Sequence, residues 1–138
     1  MILLDTHVLV WTQLERRKLS RAALSALQRA ERSDGIAISV ISLVELASLF
    51  ARGRVAYSGN MEASLKQITE NITVLPVTLE VAVLSASFPP DFPSDPMDRI
   101  IAATGAARPH HPHPRYLDWT GIPMTDMLWP VRHRPSEP

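Results

Sequence analysis

Three strand-length apolar runs, at 2–4, 36–39 and 72–77, are each followed by two helix-like segments. This alternation constrains the fold more than any other feature of the chain. A strand buried on both faces reads as an unbroken apolar run, because no side faces water. Strands separated by helices are joined in parallel, since the crossover carries the chain back to its starting edge. The order βααβααβαα therefore predicts an α/β sandwich with a mostly parallel sheet. A helix is read as beginning at Thr6, with Asp5 between it and "ILL". The segment 19–32 carries Leu19, Ala23, Leu24, Leu27 and Ala30 at helical spacing, with Ser20 as its cap, and 33–35 is a turn. The spacing predicts helices over 41–53, closed by Gly53, over 59–71 and over 78–88. "PPDFPSDP" (89–96) is a rigid loop, and Pro96 opens a helix over 96–104.

At 138 residues, 46% of them hydrophobic, the chain makes one domain with a real core. Its formal net charge is +0, so no global basic field announces nucleic acid, although a local patch would suffice. Cysteine is absent, which removes disulfides and thiolate zinc sites. The start, "MILLDTHVLVW", meets an acid at Asp5 and lacks the basic and long apolar regions of a signal peptide. No stretch reaches membrane-spanning length. A soluble cytoplasmic protein without membrane partners is the expectation.

Acids stand where parallel sheets bind ligands, at the carboxyl ends of strands. Asp5 follows the first strand. Glu45 is one turn into the helix after the second. Asp95 and Asp98 lie in the first turn of the helix after 89–96. If the strands are neighbours, these carboxylates converge and raise one another's pKa, and a divalent cation relieves the repulsion. An all-oxygen donor set favours Mg²⁺ or Mn²⁺ over Zn²⁺. Each acid also has a purely structural reading. Ser42-Leu43-Val44-Glu45 matches a capping box. Asp95 is a cap before proline, Asp98 complements the helix dipole, and Asp5 caps the helix from Thr6. Against this, Glu45 interrupts an apolar stretch of Leu43, Val44, Leu46 and Leu49, and a carboxylate is rarely buried without a partner.

"LLDTHVLVW", "ISVISLVELASLFARGRV" and "SDPMDRIIAAT" resemble, in order and spacing, the three leading motifs of PIN-domain ribonucleases. The VapC-like toxins of toxin–antitoxin pairs are the nearest group, and "LPVTLEVAVLSASFP" resembles their segment before the third motif. The resemblance covers residues 1–104. It implies a PIN-like three-layer α/β/α sandwich and a Mg²⁺- or Mn²⁺-dependent endoribonuclease. It further implies an RNA substrate, a VapB-like antitoxin partner and a homodimer. Carried over by position, Asp5, Glu45 and Asp98 are the metal-binding catalytic acids, with Asp95 as a further metal ligand. Thr6 orients Asp5 or a metal-bound water. Arg52 and Arg54, with Arg16 and Arg17, are candidates for holding phosphate, although basic side chains at helix ends are often only solvated. Trp11 reads as core or dimer interface rather than as a base-stacking platform.

The resemblance stops at 105–138. Seven of the twelve prolines and four of the five histidines lie in this tail. The family continues with a buried strand and a Thr-x-Asp that supplies a fourth acid. Here the chain reads "GAARPHHPHPRYLDW", so the C-terminal strand is expected to be missing or altered. Asp118 and Asp126 follow, neither in a strand-like context. Back-translating residues 108–116 with CGN arginine codons and advancing the frame by one nucleotide gives GNC CNC AYC AYC CNC AYC CNC GNT AYC. Those codons admit GLTILTRDT, the strand and acid that the resemblance implies, with aspartate at the place of Arg115. In the same frame Met124-Thr125 contains a stop codon. The tail thus reads as an out-of-frame translation. The alternative of a metal site at His110, His111 and His113 is weakened by the prolines between them, which forbid a helix or central strand to organise the ligands.

Two other functions compete with a ribonuclease toxin. A PIN domain without its last strand and fourth acid would be catalytically impaired and keep only partner binding. A receiver-like signalling domain also gathers acids around Mg²⁺ but needs a lysine after a late strand. The lysines here are Lys18 and Lys66, both placed elsewhere.

Overall fold

The computed structural model describes residues 1–90, 92, 94–107 and 127–128. Its elements run β1 (Ile2–Leu4), α1 (Thr6–Leu14), a single 3-10 turn (Arg16–Lys18), α2 (Arg21–Glu31) and β2 (Ile36–Ser39). They continue with α3 (Val40–Ala51), α4 (Met61–Thr69), β3 (Ile72–Leu75), α5 (Leu79–Ser87), α6 (Pro96–Ala106) and β4 (Met127–Leu128). All strand pairs are parallel, in the order β3-β2-β1-β4.

Alternation within the short strands divides the core into two layers, because successive side chains leave opposite faces of a sheet. Ile2, Leu4 and Ile38 face one side and pack with Val8 and Leu9 of α1, Leu27 of α2, and Leu46 and Phe50 of α3. Leu3 and Ala37 face the other and pack with Val81 of α5 and Ile101, Ala102 and Ala103 of α6. The result is the expected three-layer α/β/α sandwich. The topology explains which helices go where. The chain steps from β1 to β2 to β3 in one direction, then returns past β1 to β4. Right-handed crossovers place helices on opposite faces when the direction of winding reverses. The reversal falls between β1 and β4, and the carboxyl ends of these strands flank a topological switch point, where open α/β sheets bind ligands.

Several boundaries differ from the sequence reading for identifiable reasons. Strand β3 ends at Leu75 rather than at residue 77, since Pro76 has no N–H to give the ladder. Helix α3 begins at Val40, and its cap is Ser39, whose side chain accepts from the Ile41 N–H at 3.2 Å. The S-x-x-E capping box is therefore not a cap: Ser42 and Glu45 both lie inside the helix. Gly53 does follow that helix, with the positive φ of 66° that glycine adopts without strain. Helices α2, α4 and α5 are capped by Ser20, Asn60 and Thr78. The altered C-terminal strand is β4, two residues long and paired with Leu3 and Leu4. Two residues are too few for any alternation to be visible in a sequence.

Candidate metal centre

Asp5 occupies the first position after β1 and is the N-cap of α1. Its Oδ2 accepts from the His7 N–H at 3.2 Å, and His7 Nδ1 lies 3.5 Å from the same oxygen. The capping and the functional readings of Asp5 are thus compatible. A cap needs one carboxylate oxygen, and among the described residues nothing donates to Oδ1. Asp5 is 1% exposed. A buried carboxylate oxygen without a donor is costly unless a cation or water completes it.

Glu45 projects from the second turn of α3 and is half-buried. Its Oε1 is 3.1 Å from Thr6 Oγ1, which is also 3.1 Å from Ser42 Oγ. One hydroxyl proton cannot serve both contacts. The ionised carboxylate can only accept, so Thr6 donates to Glu45 and Ser42 donates to Thr6. Thr6, expected to orient Asp5 or a metal-bound water, has its hydroxyl within hydrogen-bond distance of Glu45 and Ser42 among the described residues. Both Thr6 and Ser42 are fully buried.

Electrostatics link the third acid to Glu45. Burial raises the Glu45 pKa above its ordinary value, and the carboxylates of Asp5 and Asp98 raise it further. The Thr6 hydrogen bond and His7 act in the opposite direction. Glu45 therefore feels two other acids from two other elements, α6 and the β1–α1 corner. The structure places Asp98 in the first turn of α6, partly buried, and Asp95 just before it as an exposed N-cap accepting from the Met97 N–H at 2.8 Å. Asp98, not Asp95, acts on Glu45. Helix α6 is held in place by Arg99, whose guanidinium lies 3.3 Å from the Phe88 and Pro89 carbonyl oxygens and 3.5 Å from those of Ser85 and Phe92. That fork ties the stretch leading into the helix to the helix itself.

Among the described residues no three His, Cys, Asp or Glu side chains form a ready-made metal cage. An all-protein cage is not what a magnesium-type ion requires. Such an ion keeps several waters and binds through one or two carboxylates together with substrate phosphate. An open set of oxygens, one of them without a donor among the described residues and another on a carboxyl raised in pKa by burial and by neighbouring acids, fits that chemistry.

The remaining candidates lie apart from the acids. Arg52 and Arg54 are exposed beyond the C-terminal end of α3, about two turns past Glu45. Trp11 packs against the α1–α4 core, with Lys18 Nζ 5.8 Å from its ring centre. Asp118, Asp126, Arg115 and the histidines 110, 111 and 113 lie outside the described residues. Three contributors escaped the sequence reading. His7 is two residues past Asp5 and was masked by the cap pattern. Ser42 matches the start of a capping box. Ser39 looked only like the end of a strand.

The PIN domain family model matches residues 2–108. Ribonuclease VapC22 of Mycobacterium tuberculosis (strain ATCC 25618 / H37Rv) is 37% identical over 103 residues, covering 75% of this chain and 77% of the relative.

Proposed function

Because the chain belongs to the PIN-domain family and is VapC-like, we propose that it is a Mg²⁺- or Mn²⁺-dependent endoribonuclease toxin neutralised by a VapB-like antitoxin. The observation that carries this reading is the meeting of two acids at one end of the sheet: Asp5 is buried directly after β1, and Glu45 is hydrogen-bonded to the adjacent Thr6, with Asp5 and Asp98 both raising the Glu45 pKa. Asp5, Glu45 and Asp98 would hold the cation. Asp95, the exposed N-cap of α6 with one oxygen engaged by the Met97 N–H, would be a further ligand. A divalent ion at such a site supplies Lewis-acid stabilisation of a phosphodiester transition state and an activated water. The chain's own part is to fix the donors. Asp5 is set by the start of α1, Glu45 by Thr6 and Ser42, and Asp98 by the placement of α6. Arg52 and Arg54 would meet RNA phosphate away from the reacting bond.

The remaining features follow the same reading. Among the described residues no helix is long and apolar enough to cross a membrane, which agrees with a cytoplasmic toxin. Leu79 and Val83, one turn apart on α5 and 84% and 60% exposed, suit a homodimer contact. The family match ends at residue 108, where the frame of the tail is read as shifted. The reading of a 1–104 PIN-like domain followed by an out-of-frame 105–138 is tested directly by resequencing the coding DNA.

The departure of that tail's sequence from the family's Thr-x-Asp motif favours a second reading, an impaired PIN domain that only binds its partner. One assay separates the two. The purified chain is incubated with RNA and Mn²⁺, then with excess chelator, then with Mn²⁺ restored. Cleavage that stops with the chelator and returns with the metal is the expected result. No cleavage, with antitoxin binding intact, would establish the impaired form. Cleavage undiminished by the chelator would contradict both.

A further inference from the structure

A buried hydroxyl pair joins the elements that carry Glu45 and Asp98. Ser39 ends β2 and caps α3, while Thr104 stands in the last turns of α6. Their side-chain oxygens are 3.1 Å apart across 65 positions of sequence, at 0% and 3% exposure. Counting protons fixes the direction of the bond. Thr104 Oγ1 is also 2.7 Å from the Ile100 carbonyl oxygen, which can only accept, so the Thr104 proton goes there. Ser39 then donates to Thr104 Oγ1, and Ser39 Oγ accepts from the Ile41 N–H at 3.2 Å. Every donor in this chain of three bonds has an acceptor, as a buried polar network requires.

Around this bond the contact between α6 and the sheet is apolar packing. Ile101, Ala102 and Ala103 pack among Leu3, Ala37 and Val81. Such packing is non-directional and tolerates small sliding of a helix along its neighbours. A short hydrogen bond does not. Small residues let α6 approach closely, and the bond then selects one register. We propose that Thr104 is a positioning residue: its hydrogen bond with Ser39 fixes α6 against the β2–α3 corner and so sets the place of Asp98 relative to Glu45 for cation binding. The role rests on the metal-dependent reading above. The hydroxyls of Thr6 and Ser42 hold Glu45 from the α3 side, and the Ser39–Thr104 pair holds Asp98 from the α6 side.

The test compares Thr104→Val, which keeps the shape and removes the hydroxyl, with Thr104→Ser, which keeps the hydroxyl. Mn²⁺ affinity of the full chain is measured by titration calorimetry, with circular dichroism to confirm folding. Thr104→Val is expected to bind Mn²⁺ about 10-fold more weakly, the scale of losing a hydrogen bond behind a metal ligand, while Thr104→Ser stays within about twofold of the native chain. Should the valine variant not fold, Thr104→Ala against Thr104→Ser carries the same comparison. Equal affinity in native and hydroxyl-free variants would overturn the positioning role. Equal weakening in the serine and hydroxyl-free variants would also overturn it, by assigning the effect to packing. A native chain that binds no Mn²⁺ would instead overturn the metal-dependent function, and the positioning role with it.

Discussion

Replacing Asp5 with asparagine is expected to lower RNA cleavage by about 10³-fold or more while leaving the fold intact. The magnitude follows from what a metal site supplies: several kcal/mol of charge stabilisation, with each ~1.4 kcal/mol equal to a factor of ten in rate. Asparagine keeps the shape and remains a good N-cap, so α1 keeps its first hydrogen bond from the His7 N–H. What it loses is the negative charge on a buried oxygen that no described residue satisfies. Removing that charge also relieves Glu45, because the Asp5 carboxylate helps to raise the Glu45 pKa. The variant should therefore melt no earlier than the native chain in chelator. Cleavage by Asp5→Asn within tenfold of native would remove Asp5 from the site.

Glu45→Gln should show an equally large loss of cleavage joined to a gain in stability of the metal-free protein at neutral pH. The sign follows from proton linkage. Burial and the neighbouring acids raise the Glu45 pKa from its ordinary 4.5 in the folded chain. The folded state thus holds the proton more tightly than the unfolded state. Stability from this group is fully present below the unfolded value and is lost as pH rises through the raised folded value. Glutamine never ionises, yet its carbonyl oxygen still accepts from Thr6, so the variant escapes that loss. In chelator, melting temperatures should converge in acid, apart from a pH-independent offset, and separate in favour of Glu45→Gln towards neutrality. Added Mn²⁺ should raise the native melting temperature and leave the variant unmoved. A variant less stable than native at neutral pH in chelator would contradict the assignment of Glu45 as a buried acid whose charge costs stability without a cation.

Much of this architecture was legible in the residues. Apolar runs at 2–4 and 36–39 match β1 and β2, and acids directly after a strand point to the carboxyl ends of a parallel sheet. Ser20 and Asp95 cap the helices that the sequence assigns to them. The failures have physical causes. Ser42-x-x-Glu45 satisfies the capping pattern, but Ser39, at the strand end, reaches the free N–H of Ile41 first. The Ser39–Thr104 bond joins residues too distant in sequence for any periodicity to announce. Arg99 meets backbone carbonyls, which leave no trace in side-chain identity. The stretch after Thr104 departs from the resemblance, and the two-residue strand β4 has no pattern of its own.

Crystals of the full chain grown with Mn²⁺, measured for anomalous scattering at the manganese edge, give the most direct test of a shared cation site. A single strong peak within about 2–2.5 Å of carboxylate oxygens from at least two of Asp5, Glu45 and Asp98 is the predicted result. No peak at those acids, or manganese bound only by His110, His111 and His113, would contradict it.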